Sequence, residues 1–308
     1  LVLPGTDEWD PELMNFNDYA EPLVRQMFSY FREGGIENIE RAAEAVELLL
    51  KNKTKGFPEA LNIPTFGWWK DKSETKYQEQ EAGRVWITFY RALQQTGDIA
   101  VVEAMTEALK KQGLKVSGFY AYSLRDPEAQ EELLRKAEEE PPDAILTMQS
   151  FSIGRMDERG KTRLSFLEKL GCPVIQVPTS TEDREAWLTN PRGLSPSNAA
   201  MSVALPETDG RIFSTVVGFK SEEMIDPDLQ FCLKRLAPDA KQVDHVAELT
   251  SNWVRLRRTA NSKKRVAIIL ANYPNKDSRL GNGVGLDTPA SIIAFLKDLE
   301  KRGYCISF

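Results

Sequence analysis

Between residues 84 and 177 short apolar runs alternate with longer segments whose apolar positions recur every three or four residues. Runs of four to eight residues bounded by turn signals read as strands, and the helical spacing reads as amphipathic helices. Residues 84–90, 115–122, 144–149 and 173–177 are therefore predicted strands, and residues 98–112, 127–140 and 162–170 predicted helices. Strands alternating with such helices imply a parallel sheet covered on both faces. The expected fold class is α/β, with parallel-sheet three-layer units of the Rossmann or flavodoxin kind behind an N-terminal helical segment. In that segment residues 19–31 and 36–50 carry helical spacing on either side of Gly34-Gly35, while residues 56–69, with Pro58 and Pro64, read as loop. Downstream, residues 195–205 are helix-like, with Ser195 as N-cap and Pro196 behind it. Residues 239–258 read as one long helix with Val243, Val246, Leu249, Trp253 and Leu256 along a stripe. Its terminal Arg255, Arg257 and Arg258 complement the helix dipole.

Residues 266–271 read as a buried strand that runs through sixteen loop residues into a helix start, with Thr288 as N-cap and Pro289 at the first helical position. Loops of that length in compact domains are functional or disordered, and the Gly, Asn and Pro content of this one suits an ordered backbone. Residues 304–308 look like an unfinished strand. The expected organisation is thus residues 1–80 helical and irregular, 81–238 an α/β domain, 239–262 a connecting helix, and 263–308 the start of a second α/β domain. On this reading the chain is a fragment of something longer.

A length of 308 residues fits about two domains, and 41% hydrophobic with 28% charged residues is the composition of a globular protein. The net charge of −6 argues against a nucleic-acid surface, which would be basic. No apolar run approaches the ~20 residues of a membrane span. Three widely spaced cysteines, Cys172, Cys232 and Cys305, make no disulfide framework and fit a reducing, cytoplasmic setting.

Ligands of parallel α/β sheets bind beyond the carboxyl ends of the strands. Here those ends are residues 90–98, 123–125, 149–152 and 178–180, a polar set without histidine that suits ligand recognition better than nucleophilic catalysis. Asp98 and Asp126 within or beside it either cap helices or face a ligand. Residues 154–162 approach a phosphate loop but are one residue too long, and Arg155 to Arg159 are too bulky and acidic to wrap phosphates. The glycines at 281, 283 and 285 miss the dinucleotide spacing, so the chain is not expected to hydrolyse ATP. The only histidine, His245, lies beside the apolar stripe of the long helix, and there is no C-x-x-C pair. Asp209-Gly210 is a common turn, whereas Glu207 has no such local explanation.

Several stretches resemble the CobN/magnesium chelatase family, the large subunits of class I metal chelatases. They are residues 89–92 with 96–98, residues 192–196 running on to 205–212, residues 252–258, and the long loop from Asn272 to Ser291. Asn282 to Ser291 looks like the cobalt type; Ser278, where glycine is expected, and residues 149–152 depart from the usual pattern. The resemblance implies a protein that binds a tetrapyrrole and supports insertion of a divalent metal, cobalt or alternatively magnesium, which is a substrate. ATP would be hydrolysed by an AAA+ ATPase subunit working with a metal-binding-domain partner, and a fragment alone would be inactive. Metal insertion must strip water from the ion and remove two pyrrole protons, work for a carboxylate as transient ligand and base. Glu207 is the expected catalytic and metal-contacting residue. Tyr90, Arg91, Gln149, Arg192, Asn272, Tyr273, Asn275, Asn282, Gly283 and Asp287 are the expected ring-binding residues. The competing reading from another class is a non-catalytic α/β module whose loops recognise a solute.

Overall fold

The computed structural model describes residues 1–3, 8–53, 55–71, 83–154, 165–226, 228, 231–270, 272–273 and 281–306. The chain separates into two compact units, Leu1–Ser251 and Asn252–Phe308.

The strands of the first unit are β1 (Phe66–Trp69), β2 (Arg84–Tyr90), β3 (Lys115–Ala121), β4 (Ala144–Thr147), β5 (Val174–Gln176), β6 (Thr179–Ser180), β7 (Ile212–Phe213), β8 (Gly218–Asp226) and β9 (Phe231–Pro238). Its helices are α1 (Glu21–Glu33), α2 (Ile36–Leu50), α3 (Arg91–Thr96), α4 (Ala100–Lys111), α5 (Pro127–Glu139), α6 (Phe166–Lys169), α7 (Arg184–Thr189), α8 (Pro196–Ala199) and α9 (Leu205–Glu207). α10 (Ala240–Arg258) follows, and α11 (Thr288–Lys301) belongs to the second unit.

The main sheet has the order β1-β3-β2-β4-β5-β7. All neighbours are parallel except the antiparallel edge pair β1–β3. Leaving β1 aside, the order is that of flavodoxin-like folds, and the point where the chain reverses its direction of winding lies between the carboxyl ends of β2 and β4. β2 reads Arg-Val-Trp-Ile-Thr-Phe-Tyr and buries its five central residues, as a strand covered on both faces must. On one face Trp86, Phe119, Leu133, Ile145 and Phe166 form a continuous core under α5 and α6. On the other α4 packs on β2, β3 and β9, with Val101, Val102, Met105 and Leu109 buried. The expected three-layer parallel architecture is present.

Several local expectations change. Residues 66–69, read as loop, form edge strand β1, because Phe66-Gly67-Trp68-Trp69 finds its partner only in β3. Gly118 is opposite Trp69, where an added Cβ would lie 2.8 Å from the indole. The predicted helix over 98–112 begins instead at Ala100, behind the short α3 and a left-handed Gly97. Asp98 does not cap α4: its carboxylate accepts the Leu236 amide at 3.0 and 3.1 Å. Asp126 does cap α5, accepting the Glu128 amide at 2.9 Å. The β8–β9 hairpin has no counterpart among the sequence expectations. Along α10 the buried residues are Val243, Val246, Ala247, Thr250 and Val254, while Leu256 is exposed.

In the second unit, residues 266–270 do not form the predicted strand, and Val266, Ile268, Ile269 and Leu270 are exposed. A strand exists by pairing, and among the described residues of this unit no neighbouring strand offers it a ladder. Residues 304–306 are likewise not strand; 271, 307 and 308 lie outside the described residues. α11 is capped by Asp287, whose Oδ1 accepts the Ala290 amide at 3.0 Å, so Thr288 is its first helical residue and not its cap.

Candidate functional site

Two open pockets hold the predicted site residues of the first unit, one at the sheet's reversal point and one against the helical stretch from Pro196 to Glu207. The reversal-point crevice, about 380 Å³, is lined by the carboxyl ends of β2, β3 and β4 together with Arg211. Gln149 holds those three ends together. Its amide nitrogen donates to the carbonyls of Phe89 and Ala121, both at 2.9 Å, and its Oε1 accepts the Leu124 amide at 3.1 Å. The Tyr90 hydroxyl accepts the Ser150 amide at 2.9 Å, and Arg91 donates to the carbonyls of Pro64 and Ile63. The structure thus brings Tyr90, Arg91 and Gln149 together, and it uses their polar atoms to assemble the crevice.

A buried ion pair missed by the sequence reading supports the loop after β4. Asp209 accepts the amides of Ile153 at 2.6 Å and Gly154 at 2.7 Å, and Arg211 Nη2 at 2.9 Å. Arg211 also donates to the carbonyls of Gln149 and Phe151 and to Gln176 Oε1. Both side chains are essentially inaccessible, at 0% for Arg211 and 1% for Asp209. Burial pushes the Arg211 pKa down, and the Asp209 carboxylate pulls against that shift. The available signal was an arginine just before an apolar strand, beside an Asp-Gly pair that reads as an ordinary turn.

The helical stretch from Pro196 to Glu207 is irregular for a chemical reason. Ser195 caps α8, and residues Ala200–Ala204 adopt a π-helix before α9. The Leu205 amide bonds to the Ala200 carbonyl in the i→i+5 pattern. Continuing that pattern would need an N–H at residue 206, and Pro206 has none. The Met201 carbonyl instead accepts the amide of Phe151 at 2.8 Å. Phe151, held there and by Arg211 at its carbonyl, sits at φ +64, a left-handed conformation that costs a non-glycine residue about 1–2 kcal/mol. Single-turn π segments and strained residues both concentrate at functional sites.

The second pocket, about 530 Å³, is lined by the helical stretch itself through Ala199, Ala200, Val203, Ala204 and Glu207. Its walls are mainly apolar, from Trp187, Leu194, Ala199, Val203, Phe213 and Val216, over a small core of Leu194, Val216 and Phe219. Two charged residues line it, Arg192 and Glu207. Both are exposed, and neither side chain has an ion-pair partner among the described residues. Glu207 ends the helical stretch, where the dipole disfavours a negative charge, so helix stability does not account for a carboxylate there. Among the described residues no group of three or more His, Cys, Asp or Glu could hold a metal ion, and His245 is exposed on α10.

The remaining predicted site residues belong to the second unit. Asn272 Oδ1 accepts the Gly281 amide at 2.8 Å, and Asn282 Nδ2 donates to the Tyr273 carbonyl at 2.6 Å. Gly283 bridges to Leu286, and Asp287 caps α11. These groups close the base of the long loop, while the Tyr273 ring is exposed. Asn275 lies outside the described residues.

Comparison with known proteins agrees with this architecture. The sequence pattern described as CobN/Magnesium Chelatase matches residues 28–308. The aerobic cobaltochelatase subunit CobN of a Sinorhizobium species is 34% identical over 99% of this chain and 25% of its own length. The CobN subunit of Pseudomonas aeruginosa is 32% identical with the same coverage. The chloroplastic magnesium-chelatase subunit ChlH of Oryza sativa is 25% identical over 77% of this chain and 17% of its own length. The solved catalytic subunit of cobaltochelatase from Mycobacterium tuberculosis superposes with a TM-score of 0.80 at 29% identity, over 99% of this chain and 25% of that one. The chain thus spans about a quarter of the length of the cobaltochelatase relatives it matches, and none of its described helices is long and apolar enough to cross a membrane. It belongs to the CobN/magnesium chelatase family.

Proposed function

We propose that this chain forms part of the tetrapyrrole-binding large subunit of an ATP-dependent cobaltochelatase, which inserts cobalt into hydrogenobyrinic acid a,c-diamide. The observation that carries the proposal is the Glu207 pocket: one carboxylate and one guanidinium, neither with an ion-pair partner among the described residues, on a mainly apolar wall. A corrin ring carries carboxylates and amides around an apolar macrocycle. Trp187 and Phe213 would face the macrocycle, and Arg192 would pair with a peripheral carboxylate. Glu207 would then take water's place on the entering ion and accept pyrrole protons, the two demands of metal insertion. A single carboxylate suits a metal in transit better than a resident one.

ATP hydrolysis would come from a separate AAA+ subunit and its metal-binding-domain partner. Higher identity and fuller coverage with the CobN relatives than with ChlH support cobalt over magnesium. Magnesium insertion into protoporphyrin IX remains the alternative within the family.

Absorbance titration of the chain with hydrogenobyrinic acid a,c-diamide and with protoporphyrin IX tests the proposal. Saturable binding of the corrin, weakened by Arg192→Gln, is the expected result. Preferential binding of the porphyrin would transfer the chain to the magnesium reading, and binding of neither ring would refute both.

A further inference from the structure

The crevice at the sheet's reversal point is left unused by this reading, and three independent observations mark it as a binding site of its own. The first is charge. Among the described residues its lining contains Arg91, Arg125 and Arg211 and no carboxylate, in a chain whose net charge is −6. Glu33 lies 3.7 Å from Arg91, and Asp209 pairs with Arg211, which leaves Arg125 with no ion-pair partner among the described residues. Arg125 is anchored by its Nε and Nη2, which both donate to the Ser152 carbonyl at 2.9 and 2.6 Å, and Nη1 remains for another acceptor.

The second observation is an orphaned donor. Arg211 Nε is buried and has no hydrogen-bond partner among the described residues, although the other guanidinium nitrogens are engaged. A buried donor without an acceptor is costly, and native structures keep few of them outside functional sites. The third is the apolar rim. Tyr122 is 76% exposed and Phe151 46% exposed on the two loops that border the crevice, and Phe151 is held there in a strained backbone conformation. Core packing explains neither ring.

We propose that the reversal-point crevice binds a carboxylate carried on a flat apolar body. The carboxylate would bond to Arg125 Nη1, and the apolar body would lie against Tyr122 and Phe151. Guanidinium groups suit planar anions such as carboxylate. The site is separate from the Glu207 pocket, since the two share no lining residue, and it stands whether or not a tetrapyrrole occupies that pocket. Two sources would present this chemistry, a free aryl carboxylate and a peripheral carboxylate of a macrocycle.

The test is fluorescence anisotropy of pyrene-1-carboxylate with the intact chain, beside the neutral 1-pyrenemethanol. The acid is expected to bind saturably and at least tenfold more tightly than the alcohol. Arg125→Gln and Tyr122→Ala, both at exposed positions, are each expected to weaken the acid at least tenfold, with Arg125→Lys falling between. Trp187→Leu, in the other pocket, is expected to leave binding unchanged. Displacement of the probe by benzoate would identify a free aryl carboxylate as the source. Displacement by hydrogenobyrinic acid a,c-diamide in a Val203→Trp background, where the other pocket is filled, would identify the macrocycle. Equal affinity for acid and alcohol, no saturable binding, or sensitivity to Trp187→Leu without sensitivity to Arg125→Gln would overturn the proposal.

Discussion

Replacing Asp209 with alanine is expected to be among the most damaging single changes in the first unit. The carboxylate accepts the Ile153 and Gly154 amides and compensates the Arg211 guanidinium, with both charged side chains away from water. Removing one partner of a buried ion pair costs about 3–5 kcal/mol, because the survivor stays buried and charged. Two orphaned amides would each add about 1–3 kcal/mol, less whatever loop relaxation and water entry recover. A loss of about 4–6 kcal/mol is a large share of the roughly 5–15 kcal/mol that holds a typical domain folded. At about 2–4 °C per kcal/mol for a unit of this size, the melting temperature should fall by about 8–24 °C. Asp209→Asn keeps one acceptor oxygen but loses the charge, and should fall between wild type and alanine. Circular dichroism melts of the three proteins check this order. A midpoint for Asp209→Ala within about 2 °C of wild type would refute the claim that this carboxylate holds the loop after β4.

Three further outcomes follow from named contacts. Gln149→Leu keeps side-chain volume but strands the Leu124 amide and the Phe89 and Ala121 carbonyls, so urea melts should show a loss of about 2–4 kcal/mol. Phe151→Gly should be close to neutral in the same assay, since relief of left-handed strain offsets the lost ring, whereas Phe151→Val should cost about 1–3 kcal/mol. Asp239 provides a pH test. Burial pushes its pKa up, but hydrogen bonds from Arg184 at 2.6 Å and from the Gln242 amide at 3.1 Å outweigh that and hold it below its ordinary value. Its stabilisation is therefore full above about pH 3.9 and lost as pH falls through the lower folded value. Melting temperatures measured from about pH 5 down to pH 2 should fall less steeply for Arg184→Ala than for wild type.

The parts of the fold that were legible in the sequence are those whose cause is local. β2 and β4 are apolar runs buried on both faces, and the Asp126 and Ser195 caps are written in single residues beside a proline. The edge strand β1 and the β8–β9 hairpin were not legible, because pairing across the chain defines them more than composition does. Residues 266–270 show the converse: an apolar run that looks like a strand remains exposed where no ladder is available among the described residues. In the candidate site, Glu207 was readable as a charge without a local role and Arg192 only through the family resemblance, and they line one pocket. The Asp209–Arg211 pair was hidden because an Asp-Gly turn explains the same residues more simply. Gln149 was singled out as ring-binding, but its reach to two strand ends 28 and 60 residues away could come only from the fold.

The most direct test of the account is to fill the Glu207 pocket. Val203→Trp places a large ring among Trp187, Leu194 and Val216 without touching Glu207's charge. The measurement is the affinity of this variant for hydrogenobyrinic acid a,c-diamide, beside wild type and beside Phe151→Gly as a control at the other crevice. Val203→Trp is expected to keep its fold by circular dichroism and to lose the part of corrin binding that Arg192→Gln also weakens, while the control keeps that part. Undiminished corrin binding by a folded Val203→Trp would contradict the placement of the macrocycle at Glu207.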